Sequence, residues 1–202
     1  MEVEMDEEFK RKFIDSLVSE RDGKIHVTDL IYCLRKAYYR KKGTKGLAED
    51  KRILAQASGR GIHTILETSY WNEVPVERDG IVGTIDMIKD TVVEIKTTRN
   101  SVAIRDSWVR QIMSYLAMRG ETEARLIVFD VARLNLEVYR LKFTKEELEE
   151  HWKWMLERKK KLEEALKNNN PPDGPEYDWE CQYCEYRFIC PLSGINRQVK
   201  LL

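Results

Sequence analysis

The apolar residues of this chain fall into two textures, one helical in spacing and one strand-like. Phe9, Phe13, Ile14 and Leu17 recur three to four apart and predict a helix over about 6–20. Thr28 or Asp29 can cap a second helix through Tyr39 that ends in the basic stretch Arg40-Lys41-Lys42-Gly43. Residues 48–70 predict a third, with Ile53, Leu54, Ala57, Ile62, Ile65 and Leu66 on one side; Gly59 and Gly61 weaken it locally or mark close packing. The pattern then changes. Residues 74–77, 81–88 and 91–96 are short and rich in β-branched side chains, with turn residues at Asp79-Gly80 and Lys89-Asp90, as in an antiparallel meander. Residues 102–118 return to helical spacing. Residues 125–131 read as a buried strand, and 136–141 alternate and can pair with it. Thr144-Lys-Glu-Glu fits a capping box at the head of a long helix to about Lys167. Residues 168–175 form a linker of Asn, Pro, Asp and Gly. Strands interleaved with helices in this order predict one α/β domain with a mixed central sheet flanked by helices, spanning 1–202.

Composition narrows the function classes. The chain has 202 residues, enough for one sizeable core and a small appendage. No apolar run is long enough to span a bilayer, and the acidic start Met1-Glu-Val-Glu lacks the basic and apolar regions of a signal peptide. A cytoplasmic protein with no membrane partner is expected. Lys+Arg and Asp+Glu both number 35, so net charge gives no pull toward a polyanion; any such contact must be local.

The informative stretch is Gly83-Thr-Ile-Asp86, a turn, then Glu94-Ile-Lys96. Residues two apart on a strand share a face, so Glu94 and Lys96 point together, and a tight turn at Lys89-Asp90 can set Asp86 beside Glu94. Paired carboxylates suit Mg²⁺ or Mn²⁺, and a nearby ammonium can position water or stabilise charge on a reacting phosphate. Taken alone, a Glu-x-Lys pair is most often a weak, solvated salt bridge. His63 on the third helix is by itself most often an ordinary hydrogen-bonded histidine. Gln111 and Tyr115, spaced i, i+4, share one face of the next helix.

In combination and in this order, Gly59-Arg-Gly-Ile-His63, Gly83-Thr-Ile-Asp86, Glu94-Ile-Lys96 and Gln111-Ile-Met-Ser-Tyr115 resemble the motif series of the RecB branch of PD-(D/E)xK nucleases. Ile85 stands at the position before the motif acid. The resemblance implies that His63, Asp86 and Glu94 bind Mg²⁺ or Mn²⁺, with the Ile95 carbonyl as a further ligand. It implies that Asp86, Glu94 and Lys96 form the catalytic set, and that Gln111 and Tyr115 contact DNA or support the site. The nuclease core would span about 48–167.

Cys181-Gln-Tyr-Cys184, followed by Cys190-Pro191, is C-x₂-C-x₅-C-P. Three thiolates in ten residues fit a metal site better than a disulfide framework in a reducing compartment, and Cys33 is the only cysteine left to complete a set of four. Zinc and iron–sulfur clusters both accept four thiolates. Cys33-Leu-Arg35-Lys36-Ala-Tyr38-Tyr39 ahead of that triplet resembles the iron–sulfur nucleases of the RecB family, and in length and layout the small stand-alone CRISPR-associated exonucleases of spacer acquisition; Leu34 stands where many relatives have proline. The resemblance implies a [4Fe–4S] cluster, with [2Fe–2S] as the alternative, on Cys33, Cys181, Cys184 and Cys190. It also implies a subdomain built from about 27–45 together with 176–195.

Arg35, Lys36, Arg40, Lys41, Lys42 and Lys45 cluster beside Cys33, interleaved with Tyr38 and Tyr39. They can serve phosphate contact and base stacking, or the basic side chains can be a solvated face and the tyrosines packing. Two readings follow: a metal-dependent DNA exonuclease acting on single-stranded ends, or a DNA-end-binding module that works with CRISPR integrase proteins and has weak nuclease activity.

Overall fold

A computed structural model describes residues 4–18, 22–47, 50–66, 71–99 and 101–193. The expected first helix is α1 (Glu7–Ser16), with the Asp6 carboxylate accepting from Phe9 N–H at 2.8 Å; positions 19 and 20 lie outside the described residues. Of its apolar face only Ile14 is buried, while Phe9 and Phe13 are exposed.

The single helix expected through Tyr39 is two. A short strand β1 (Ile25–His26) leads into α2 (Val27–Ile31), the backbone extends at Tyr32, and α3 (Leu34–Lys41) begins with Cys33 as its N-cap. Asp29 acts within the first turn of α2, its carboxylate accepting from His26 N–H, and does not cap a longer helix. The break stands because the carbonyls it frees find a partner: the Arg158 guanidinium donates to the carbonyls of Leu30 and Tyr32. Cys33 therefore sits at a corner between two helices.

The third helix is α4 (Asp50–Leu66); the outer parts of the expected span, 48–49 and 67–70, lie outside the described residues. Strands β2 (Trp71–Arg78), β3 (Ile81–Ile88) and β4 (Val92–Thr98) form the expected antiparallel meander. Helix α5 (Asp106–Arg119) then crosses over to β5 (Glu123–Asp130), which runs parallel to β4, and β6 (Asn135–Lys142) returns antiparallel to it. Helix α6 (Lys145–Lys167) starts with the predicted capping box: Glu147 N–H donates to Thr144 Oγ1 at 3.1 Å and Thr144 N–H to the Glu147 carboxylate at 2.7 Å. The strand order is β1-β3-β4-β5-β6, with β2 also paired to β3, so the six-stranded sheet is mixed.

One face of the sheet carries the main core. Ile81, Ile85, Val92, Leu126 and Val128 pack there against Leu30 and Ile31 of α2, Ile112 and Leu116 of α5, and Trp152, Met155 and Leu162 of α6. The other face holds a smaller cluster of Met87, Val93 and Ile95 with Leu66 of α4. Among the described residues no helix is long and apolar enough to cross a membrane.

The two faces meet at an irregularity in β3. The β2–β3 ladder passes from Asn72↔Met87 to Val74↔Ile85 without a pair at Glu73 and Asp86, and Glu73 has a φ of 49°. Ile85 and Met87, two apart on one strand, end in different apolar clusters. A local break of this kind re-aims the side chain beside it, here Asp86.

Candidate active site and cysteine centre

Strands β3 and β4 pair only next to their turn, at Ile88↔Val92 and Met87↔Val93. Beyond that they part, and the candidate site lies in the fork. Instead of a ladder bond, the Asp86 carboxylate accepts the Ile95 N–H at 2.7 Å. Its other oxygen lies 3.6 Å from His63 Nδ1, so α4 brings its histidine to the fork. From β4, Lys96 Nζ donates to Glu94 Oε1 at 2.6 Å and to Gln111 Oε1 of α5 at 2.9 Å. Gln111 Nε2 donates in turn to Tyr115 Oη at 3.0 Å. The i, i+4 pair on α5 thus orients the lysine from the side opposite Glu94.

Gly83 explains itself here. A Cβ at this position would lie 2.6 Å from Tyr115 Cε1 and 3.3 Å from Val27 Cγ2. The absence of a side chain lets the Tyr115 ring lie against β3, which places Gln111 over Lys96. Gly59 is packed at an ordinary distance from Thr97, and Gly61 faces open space.

The electrostatics of the fork share one direction. Burial pushes the Glu94 carboxyl up to about 7, with the Asp86 charge adding to it and Lys96 opposing. Burial works against the charge on Lys96, but the Glu94 and Asp86 carboxylates outweigh it and its pKa is raised. The same balance, burial against Asp86, raises His63. All three groups are driven to hold protons, the carboxyl chiefly by burial and the lysine and histidine by the carboxylates beside them. Glu94 Oε2 is buried and without a hydrogen-bond partner. A buried carboxylate oxygen without a partner, beside a second carboxylate, suits a divalent cation with hard-oxygen preference. As the side chains stand, no group of three His, Cys, Asp or Glu among the described residues is drawn tightly enough to hold a metal ion; Glu94 Oε1 is turned to Lys96 and one Asp86 oxygen to the Ile95 amide.

The cysteine segment opens with a 3₁₀ turn (Asp178–Tyr183) that contains Cys181 and meets the α2–α3 corner through Glu180 and Trp179. Cys33, Cys181, Cys184 and Cys190 line one cavity together with Lys36, Tyr39 and Tyr186. Burial pushes the Cys33 thiol up to about 11 and raises Cys181 and Cys184 as well. Burial thus disfavours the thiolate at three of the four cysteines that line the cavity.

Three charged residues not singled out from the sequence hold this region to the core. Glu180 accepts Cys33 N–H at 2.8 Å and the N–H groups of Glu176 and Tyr177 at 2.8 and 3.0 Å. Besides the α2–α3 carbonyls, Arg158 donates to Glu176 at 2.7 Å. Glu185 faces Lys36, Arg40 and Arg52; burial would raise its pKa, yet these cations hold it down at about 2. A signal for Arg158 was present: it lies between Met155 and Leu162 on the apolar face of α6, where a charge requires a buried partner.

Four of the six basic side chains beside Cys33 are engaged inside the chain, while Lys42 and Lys45 are exposed. Arg35 donates to the carbonyls of Pro172 and Pro171, Lys36 pairs with Glu185 at 3.4 Å, and Arg40 and Lys41 pair with buried Asp29. Tyr38 is buried with its hydroxyl on Asn169, and Tyr39 packs on Tyr186 with ring centroids 5.4 Å apart, so both tyrosines take the packing role.

The family model of the PD-(D/E)XK nuclease superfamily matches residues 7–191, nearly the whole chain and both sites. The chain belongs to the PD-(D/E)XK nuclease superfamily. Among solved structures, the crystal structure of SSO0001 has a TM-score of 0.62 at 22% identity, covering 93% of this chain and 97% of that one. The alkaline exonuclease LHK-Exo from Laribacter hongkongensis has a TM-score of 0.53 at 14% identity, covering 77% of this PD-(D/E)XK chain and 95% of its own. At these identities the likeness is one of fold. A comparison with curated proteins finds no match.

Proposed function

We propose that this PD-(D/E)XK protein is a divalent-metal-dependent DNA exonuclease acting on single-stranded ends. The observation that carries the reading is the fork itself: an orphan Glu94 oxygen and the Asp86 carboxylate on one side, and a lysine oriented by Glu94 and Gln111 on the other. His63, Asp86, Glu94 and the Ile95 carbonyl would hold Mg²⁺ or Mn²⁺. When bound, such an ion polarises the phosphate and lowers the pKa of water. Lys96 stays charged next to the reacting phosphate, where its ammonium stabilises developing negative charge. Gln111 and Tyr115 keep that ammonium aimed, and His63 steadies Asp86.

The four cysteines would hold an iron–sulfur cluster, [4Fe–4S] or [2Fe–2S], as a structural centre joining 27–45 to 176–195. Support comes from their convergence on one cavity and from the resemblance of the Cys33 segment and the triplet to iron–sulfur nucleases. A place in CRISPR spacer acquisition, alongside integrase proteins, is supported by that same resemblance.

The test is digestion of single strands labelled at the 5′ or the 3′ end, with Mg²⁺ or Mn²⁺ and with chelator. Metal-dependent loss of label from one end, abolished in Asp86→Ala, is expected. Full activity of Asp86→Ala, or no metal-dependent cleavage, would overturn the active site. Iron and acid-labile sulfide in anaerobically purified protein are expected; stoichiometric zinc without iron would replace the cluster.

A further inference from the structure

Beside the fork stand three aromatic rings whose arrangement the nuclease motifs do not account for. Tyr32 is the extended residue between α2 and α3. Its ring meets Tyr177 edge-on with centroids 6.2 Å apart, and Trp179 edge-on at 6.1 Å. Tyr177 and Trp179 are stacked, with centroids 5.9 Å apart and planes 18° from parallel. The wall has an inner and an outer end. At the inner end, Tyr177 Oη donates to Asp106 Oδ2 at 2.8 Å, on the first residue of the helix that supplies Gln111. At the outer end, Trp179 is 44% exposed. Rings that served only to seat the cysteine segment would be expected to bury themselves, and an indole left this open has face to offer a ligand.

We propose that Tyr32, Tyr177 and Trp179 form a base-stacking wall that holds unpaired bases of a single-stranded nucleic acid whose backbone enters the fork at Lys96. The proposal rests on the nuclease reading of that fork. Each base presents a π-face, so stacking on such a wall tolerates any sequence. In a duplex those faces are already stacked on neighbouring pairs, so the wall selects for single strands. Tyr177 and Trp179 lie just before Cys181 on the segment that Glu180 and Arg158 hold to the core. The contacts that seat the cysteine segment therefore also set the position of the wall.

The test is binding without cleavage. Anisotropy of a labelled 12-mer single strand is measured in chelator, with an abasic site walked along the oligonucleotide. For the unaltered protein, one or two abasic positions are expected to weaken binding by about tenfold, the scale of one lost base–aromatic stack. Trp179→Ala is expected to weaken the intact strand by a similar factor and to make those positions indifferent, and Trp179→Phe to recover most of the affinity. Binding of the unaltered protein that is the same for every abasic position overturns the wall without needing any variant. So does a Trp179→Ala that loses affinity while keeping full abasic sensitivity. Cleavage with Mn²⁺ is read separately: base-dependent binding with no cleavage sinks the nuclease reading and leaves the wall, and cleavage with base-independent binding does the reverse.

Discussion

The fork and the cysteine centre are built on opposite plans. The fork draws Asp86, Glu94 and Lys96 from two strands joined by a turn, so most of its geometry is local. The cysteine centre joins Cys33 to a segment that begins almost at the other end of the chain; the Cys33–Glu180 bond alone spans 147 residues. Their electrostatics differ in the same way. In the fork one buried carboxylate oxygen, Glu94 Oε2, is left without a hydrogen-bond partner, while in the cysteine region Glu180 is met by amides and Glu185 by Lys36, Arg40 and Arg52. A buried polar atom left unpartnered marks a place where a ligand can bind, and paired charges hold a segment in place.

The largest effect should separate the two regions cleanly. Lys96→Met, which keeps the apolar stem, is expected to lower cleavage by about 10²–10⁴-fold with a smaller change in melting temperature than Cys33→Ser, because it removes the charge meant for the reacting phosphate. Calorimetry beside the end-label assay checks this, and a large stability loss would show that the fork is structural. Cys33→Ser should do the reverse in stability. Loss of one thiolate is expected to lower the melting temperature by about 10 °C and expose 176–193 to limited proteolysis, on the scale of several kcal/mol from a structural metal site.

Third, the balance around Glu185 should be visible as acid sensitivity. Its folded-state pKa of about 2 is below the unfolded value, so its contribution is present above pH 4.5 and is lost as pH falls toward 2. Denaturant melts across that window should lose up to about 3 kcal/mol more in the unaltered protein than in Glu185→Gln. Equal slopes would mean the cluster of cations is not holding the segment. The smallest change is Gly83→Ala. Its Cβ must displace the Tyr115 ring, an overpacking cost of about 1–3 kcal/mol, and activity should fall further than stability because Gln111 moves off Lys96. Recovery in a Gly83→Ala, Tyr115→Leu double variant of stability but not of cleavage would sharpen the distinction.

Where the sequence was legible, the physics was short-range. The Thr144 capping box, the meander and the β5–β6 hairpin depend on neighbours within a few residues, and the structure has them all. The helix read through Tyr39 failed for the opposite reason. Local propensity favours continuing at Tyr32 and Cys33, and the break is held by Arg158 and Glu180 from distant parts of the chain. The basic run at Arg35–Arg40 reads in sequence as either a phosphate contact or a solvated face, and only folding brings Pro171, Pro172, Asp29 and Glu185 to it.

The sequence by itself determined the element types, the order of the His63, Asp86, Glu94–Lys96 and Gln111–Tyr115 motifs, and a set of four cysteines, because each is a matter of residue identity and short spacing. Only the tertiary structure decided that β3 breaks at Asp86 and opens a fork, that Gly83 makes room for Tyr115, and that Tyr32, Tyr177 and Trp179 share a wall. These depend on which distant surfaces must be buried together, and packing of that range leaves no period in the sequence to read.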